Sequence, residues 1–227
     1  MRMRFKKWAG PELDACPFFI RHPDRFRGRW HSLFPRGGPV YLELGCGKGL
    51  FLSGAAPADP RANYIGVDLK DSVLGPARRN IEKAYREAGR KPDNILLTAM
   101  NIEHICDAMG PADSVDRIYI SFCNPWPKPR HHKRRLTYPR QLESYGVFLK
   151  PGGELFFKTD DGPFYEDTVR YLLESGYEIV HRTGDLYATL PEGNIPTEFE
   201  KVFRKRGVAI KALTAVYRGR ERKGLTG

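Results

Sequence analysis

Residues 43–49 read Glu-Leu-Gly-Cys-Gly-Lys-Gly. Glycines at alternate positions permit a tight turn and let a ligand approach the backbone closely. The carboxylate of Glu43, just ahead of that turn, selects the ligand's charge. It repels a pyrophosphate and attracts a sulfonium or an ammonium. A dinucleotide fold would also want a third glycine where Leu50 stands. Asp68, 25 residues after Glu43, is placed to accept hydrogen bonds from both hydroxyls of a ribose. The amide of Asn101 could accept from an adenine amino group. Any one of these side chains could simply cap a turn or face solvent. At successive strand ends, Glu43, Gly45, Gly47, Asp68 and Asn101 describe a site for S-adenosylmethionine (SAM), a methyl donor.

A second constellation follows. Cys123-Asn124-Pro125-Trp126-Pro127-Lys128 continues into Pro129-Arg130-His131-His132-Lys133-Arg134-Arg135-Leu136. The prolines hold the backbone extended or turned and fix Asn124 beside the donor. Trp126 offers an indole face on which a base can stack. Five of the eight residues 128–135 are Lys or Arg. Such a run also describes a solvated face, but beside Pro-Trp-Pro it reads as a phosphate-binding surface made by Arg130, Lys133, Arg134 and Arg135. Two adjacent histidines raise a metal question that no nearby acid or cysteine cluster supports, so no metal is expected.

The elements that must position these residues alternate. Strands are expected at Val40–Leu44, Tyr64–Val67, Ile95–Thr98, Arg117–Phe122, Glu154–Lys158, Tyr177–His181 and Ala209–Val216. Between them, Asp71–Ala88 carries apolar residues at three- and four-residue steps, with Pro76 required in its first turn or kinking the helix. Further helices are expected at Pro139–Phe148 and Pro163–Ser175. This alternation implies an α/β fold: a doubly wound, mostly parallel, seven-stranded sheet of the Rossmann-like, class I SAM-dependent methyltransferase kind. Residues 1–38 are read as a basic N-terminal extension, 39–218 as the methyltransferase domain and 219–227 as a basic tail.

The 227 residues carry a net charge of +11, which suits a polyanionic partner. No stretch approaches ~18 consecutive apolar residues, so no membrane span is expected. The four cysteines are scattered and suggest a reducing cytoplasm. Arg2, Arg4, Lys6, Lys7 and the segment 201–206 could widen a nucleic-acid footprint or simply be solvated.

The chain resembles the bacterial tRNA (guanine-N7-)-methyltransferases along nearly its whole length. The resemblance runs from Gly28-Arg29-Trp30 through the glycine turn to Pro125-Trp126-Pro127-Lys128. It continues in Lys133-Arg134-Arg135-Leu136-Thr137, Phe157-Lys158-Thr159-Asp160 and Asn194-Ile195 with Thr197-Glu198-Phe199-Glu200. It implies methyl transfer from SAM to N7 of guanosine 46 in the variable loop of tRNA, by a monomer or homodimer. Glu43, Asp68, Asn101 and Asn124 would line the cofactor site. Lys128, Asp160, Thr197, Glu198, Phe199 and Glu200 would contact the guanosine region. The family pattern has Asp where this chain has Asn101 and Asn124, and the position of Asn124 is the one usually called catalytic. Guanine N7 has a free lone pair and no proton, so its attack needs positioning rather than a general base, and an amide suffices. Three other readings remain: N-methylation of another RNA or DNA base, a relict methyltransferase fold that only binds RNA, and hydride transfer, which Glu43 and Leu50 disfavour.

Overall fold

The computed structural model describes residues 5–188 and 194–219. Arg2, Arg4 and the tail from 220 onward lie outside the described residues. The seven expected strands all form, with an eighth before them. They are β1 (Phe19–Ile20), β2 (Val40–Leu44), β3 (Asn63–Asp68), β4 (Ile95–Ala99), β5 (Val115–Ser121), β6 (Leu149–Thr159), β7 (Tyr177–Thr183) and β8 (Lys211–Tyr217). Their order is β1-β4-β3-β2-β5-β6-β8-β7. Pairing is parallel from β1 through β6, and β8 runs antiparallel to both its neighbours. From β2 the chain builds outward to β3 and β4, then returns to place β5 and β6 on the other side. The crevice beyond the carboxyl ends of β2 and β5 is therefore the topological switch point, where such sheets bind ligands.

The described helices are α1 (Ala9–Asp14), α2 (Leu50–Ala58), α3 (Asp71–Glu87), α4 (Ile105–Ala108), α5 (Pro139–Tyr145), α6 (Gly162–Glu174) and α7 (Glu198–Lys205). The apolar stripe of α3 buries Val73, Leu74, Ala77, Ile81 and Tyr85. Pro76 lies inside the helix, beyond its first turn. The missing N–H frees the carbonyl four residues back, that of Ser72. Lys6 Nζ donates to that carbonyl at 3.1 Å. A side chain at Gly75 would collide with Ala9 and Trp8, so the glycine lets α1 sit directly on α3. The arginines of α3 clamp that contact, with Arg78 and Arg79 both paired to Glu12.

Residues that precede β2 also enter the core. Leu13, Phe18 and Trp30 are buried in it. Trp30 Nε1 donates to the Ala108 carbonyl at 2.8 Å. The Asp113 carboxylate accepts from the backbone N–H groups of Gly28, Trp30 and Gly110. Phe19–Ile20 pairs with Leu97 and Thr98; two residues are too few to show a strand period. No described helix is long and apolar enough to cross a membrane.

Candidate active site

At the end of β2 the chain turns through Gly45 (φ 80°), Gly47 (φ 55°) and Gly49 (φ 67°) and starts α2. Left-handed backbone at three alternate positions is what the glycines permit. Asp68, the last residue of β3, accepts from the Gly47 N–H at 2.9 Å and from the Leu69 N–H at 2.7 Å. It thus ties the turn to the neighbouring strand end. Burial raises its carboxyl pKa, and the two backbone donors oppose that rise.

Glu43 is only 4% exposed. Its Oε2 is buried with no hydrogen-bond partner among the described residues. Burial pushes its pKa well above the usual carboxylate range, the charge of Asp68 adds to the rise, and Lys158 works against it. A buried polar atom without a partner calls for an explanation, and a bound cationic donor supplies one. Asn101 follows β4 just after Met100, whose N–H donates to the Asp68 carbonyl at 3.0 Å. Asn101 is exposed, and its Oδ1 caps a short 3-10 turn by accepting from the Glu103 N–H at 3.1 Å.

Asn124 is exposed, and its Oδ1 accepts from the Trp126 N–H at 3.0 Å. Phe122 (φ 53°) and Trp126 (φ 44°) flank it in left-handed backbone. Bulky residues rarely adopt that conformation, and such strain gathers at functional sites. The Trp126 indole is already packed. His131 stacks on it at 5.8 Å and the Arg134 guanidinium lies 5.3 Å from its centroid.

The basic run forms a 3-10 turn over Pro129–Arg134. Lys128, Arg130, Lys133 and Arg134 are exposed along it. Arg135 is the exception to the expected phosphate-binding face. It is buried, donating to the Pro125 carbonyl and to Asp167 Oδ2, both at 2.6 Å. Its guanidinium lies over the Phe164 ring. It ties the Asn124–Trp126 segment to α6 and does not reach solvent phosphate.

The end of β6 and the start of α7 complete the site. Asp160 follows β6, and its carbonyl accepts from Lys211 Nζ at 3.4 Å. Thr197 caps α7 in a reciprocal box with Glu200; Glu198 opens the helix. Glu200 is fully buried. Its carboxylate accepts from Lys158 Nζ at 3.1 Å, Tyr187 Oη at 2.8 Å and Asn194 Nδ2 at 2.8 Å. Burial, then the bond to Glu200, pushes the Tyr187 hydroxyl up to about 12. In the fold, the Glu200 oxygens are hydrogen-bonded within the protein. Its expected neighbour Phe199 is 53% exposed.

One cavity lies between the glycine turn, the end of β5 and the start of α7. It is lined by Glu43, Gly45, Gly47, Phe122, Thr197 and Phe199. A larger cavity of about 420 Å³ runs along the sheet face past Tyr41, Tyr119 and Phe156, sharing Phe51 and Ser121 with the first. It is lined by neither Asn124 nor the glycine turn. Phe122 and Tyr187 escaped sequence reasoning. Only their fold neighbours, not any spacing, reveal them. Among the described residues no group of His, Cys, Asp and Glu could hold a metal ion.

The sheet order, the glycine turn at its switch point and the acidic strand ends define a class I, Rossmann-like SAM-dependent methyltransferase. Residues 37–213 match a family model described as "Putative methyltransferase". A solved 16S rRNA methyltransferase, KamB, shares the fold at a TM-score of 0.60 and 14% identity, over 94% of each chain. The relatives are far nearer in sequence. The tRNA (guanine-N(7)-)-methyltransferase of Clostridium beijerinckii is 51% identical over 95% of this chain and 99% of its own. That of Acetivibrio thermocellus is 46% identical over 95% and 99%. The chain belongs to the tRNA (guanine-N(7)-)-methyltransferase family.

Proposed function

We propose that this protein transfers the methyl group of SAM to N7 of guanosine 46 in the variable loop of tRNA. The observation that carries this is the buried, unpartnered Glu43 Oε2 beside the glycine turn, in a cavity walled on its far side by Phe199. The residues fit SAM. Glu43 would receive the cationic methionyl end, the backbone of Gly45 and Gly47 would pass close beside it, and Asp68 would take the ribose hydroxyls. Bound there, SAM supplies an electrophilic methyl group on a sulfonium.

Transfer would join the methyl carbon to the N7 lone pair and leave the electrons of the broken S–C bond on sulfur. No proton moves at N7, so the protein's task is to hold N7 roughly 3–3.5 Å from the methyl carbon, in line. Asn124 would orient the base. One lone pair of its Oδ1 serves the Trp126 N–H, and the second oxygen lone pair and the two amide protons remain for a guanine edge. The exposed Lys128, Arg130, Lys133 and Arg134 would hold the tRNA backbone. This substrate places the protein's work in the cytoplasm.

The test is incubation of unmodified tRNA with labelled SAM, followed by nuclease digestion and nucleoside mapping. N7-methylguanosine at position 46 is expected. A different methylated base, or none with cofactor binding intact, overturns the reading. In the same assay Asn124→Ala should lose about tenfold or more, the cost of a lost charged or tightly placed hydrogen bond. Asn124→Asp should be at least as active as the wild type, because a charged acceptor binds more strongly and offsets the positive charge gathering on the purine.

A further inference from the structure

We propose that Lys158 receives the carboxylate of the methionyl end of SAM, so that this zwitterionic end is held between Glu43 and Lys158. The proposal rests on the SAM reading above and names the cationic half of that subsite.

The chemistry of the ligand sets the requirement. The methionyl end of SAM carries its ammonium and its carboxylate on one carbon. Drawing the ammonium onto the buried Glu43 brings the carboxylate in with it, next to an acid of the same sign. A carboxylate taken from water without a cation or donor to meet it is costly. Glu43 answers only half of this zwitterion.

The sheet places the other half. Side chains alternate between the faces of a strand, and Glu43, Tyr119, Ser121, Phe156 and Lys158 share one face. Glu43 is in register with Tyr119, Tyr119 with Phe156, and Ser121 with Lys158. Ser121 and Lys158 are thus two residues further toward the strand ends, one and two strands across from Glu43. Two strand spacings come to roughly 9.6 Å. An ammonium and a carboxylate on one carbon, each with a hydrogen bond of about 2.8 Å outward, bridge a gap of that order. Ser121 lines both cavities and Lys158 lines the larger one. The Lys158 charge also reaches Glu43, where it opposes the rise in that carboxyl's pKa.

Lys158 keeps a donor for the task. An ammonium has three N–H groups. One serves Glu200 Oε2 at 3.1 Å and one serves Asn194 Oδ1. Tyr187 and Asn194 hold Glu200 in turn, which fixes the ammonium in place at the cavity wall. Its side chain stays 17% exposed. The other basic side chains nearby are less well placed. Arg117 is paired to Glu154 at 2.7 Å, four residues back along β5 from Ser121. Lys48 is exposed on the glycine turn.

The experiment is calorimetric binding of SAM and of decarboxylated SAM, which keeps the sulfonium and the ammonium and lacks only the carboxylate. Wild type should prefer SAM by roughly 10- to 150-fold, the range of a hydrogen bond between charged groups. Lys158→Met should lose that preference by binding SAM more weakly, with little change for decarboxylated SAM. Lys158→Arg and Lys48→Met should keep it. Lys158→Met leaves Glu200 buried without its cation, so the double variant Lys158→Met with Glu200→Gln is measured beside it and should lose the preference too. A double variant that weakens both ligands equally gives Lys158 a structural role only and overturns the proposal. So does loss of the preference in Lys48→Met with its retention in Lys158→Met. Failure of the wild type to bind SAM defeats the SAM reading itself, whereas equal wild-type affinity for the two ligands defeats only the role of Lys158.

Discussion

Glu43 has one carboxylate oxygen buried and unpartnered, and that condition has two measurable consequences. Burial raises its pKa in the folded protein, whereas the unfolded chain titrates near the ordinary value of about 4.3. Above that value and below the raised one, the folded state holds a proton that the unfolded state has released. By linkage, stability therefore falls as pH rises through this window. Glu43→Gln removes the titration, so without cofactor its melting temperature should exceed that of the wild type increasingly with pH. A gap of about 2–4 °C corresponds to ~1 kcal/mol in a chain of this size. Parallel melting curves for the two proteins across pH would refute it. With cofactor the order reverses. The cation favours the ionised carboxylate, so wild-type affinity for SAM should rise with pH through the same window. Glu43→Gln should bind roughly 10- to 150-fold more weakly at high pH, as for a lost hydrogen bond to a charged group. Calorimetric titration at several pH values reads both.

The basic turn and α7 show how an element can redirect what its residues appear to offer. In the sequence, Arg134 and Arg135 are interchangeable members of one run. In the fold, Arg134 is exposed beside Trp126 and Arg135 is buried between the Pro125 carbonyl, Asp167 and Phe164. Only the turn's geometry decides which guanidinium faces inward, and a composition of charges carries no such direction. The two should separate on mutation. Arg135→Ala leaves Asp167 without its closest buried partner and frees the strained Asn124–Trp126 segment. A loss of about 3 kcal/mol is expected, read as a lower urea midpoint. Arg134→Ala should leave that midpoint within about 0.5 kcal/mol of wild type. Equal midpoints for the two variants would contradict the assignment. The capping box of α7 teaches the same lesson. Thr-x-x-Glu at 197–200 is a helix start, legible as such from spacing alone, whereas the burial of Glu200 among Lys158, Tyr187 and Asn194 comes only from the fold.

Across the whole molecule, the sheet was the most legible feature. Apolar runs bounded by Gly and Pro place seven strands, and strand–helix alternation places the switch point, because burial on both faces leaves an unbroken apolar signature. The acidic strand ends Glu43 and Asp68 were legible for the same reason, as charges at the end of such runs. What lay beyond sequence reading was long-range. The two-residue β1, the Lys6 bond to the carbonyl that Pro76 frees, and the packing of Trp30 depend on partners 66 or more residues away. Net charge was legible too, and it makes the last prediction. Of the 38 Lys and Arg side chains behind the net +11, some are paired to acids internally, as at Arg135, Arg78 and Lys158. Lys128, Arg130, Lys133 and Arg134 stay exposed on and beside one 3-10 turn. If these hold phosphates, tRNA affinity should fall linearly in log–log plots against salt, and Arg130→Ala and Arg134→Ala should each lower the slope by about 1. SAM affinity should change little over the same range, since Glu43 is buried and poorly screened. A slope unaltered by both substitutions would move the tRNA footprint off this turn. A flat profile would remove phosphate contact as the source of affinity, leaving contacts to the base itself to carry recognition alone.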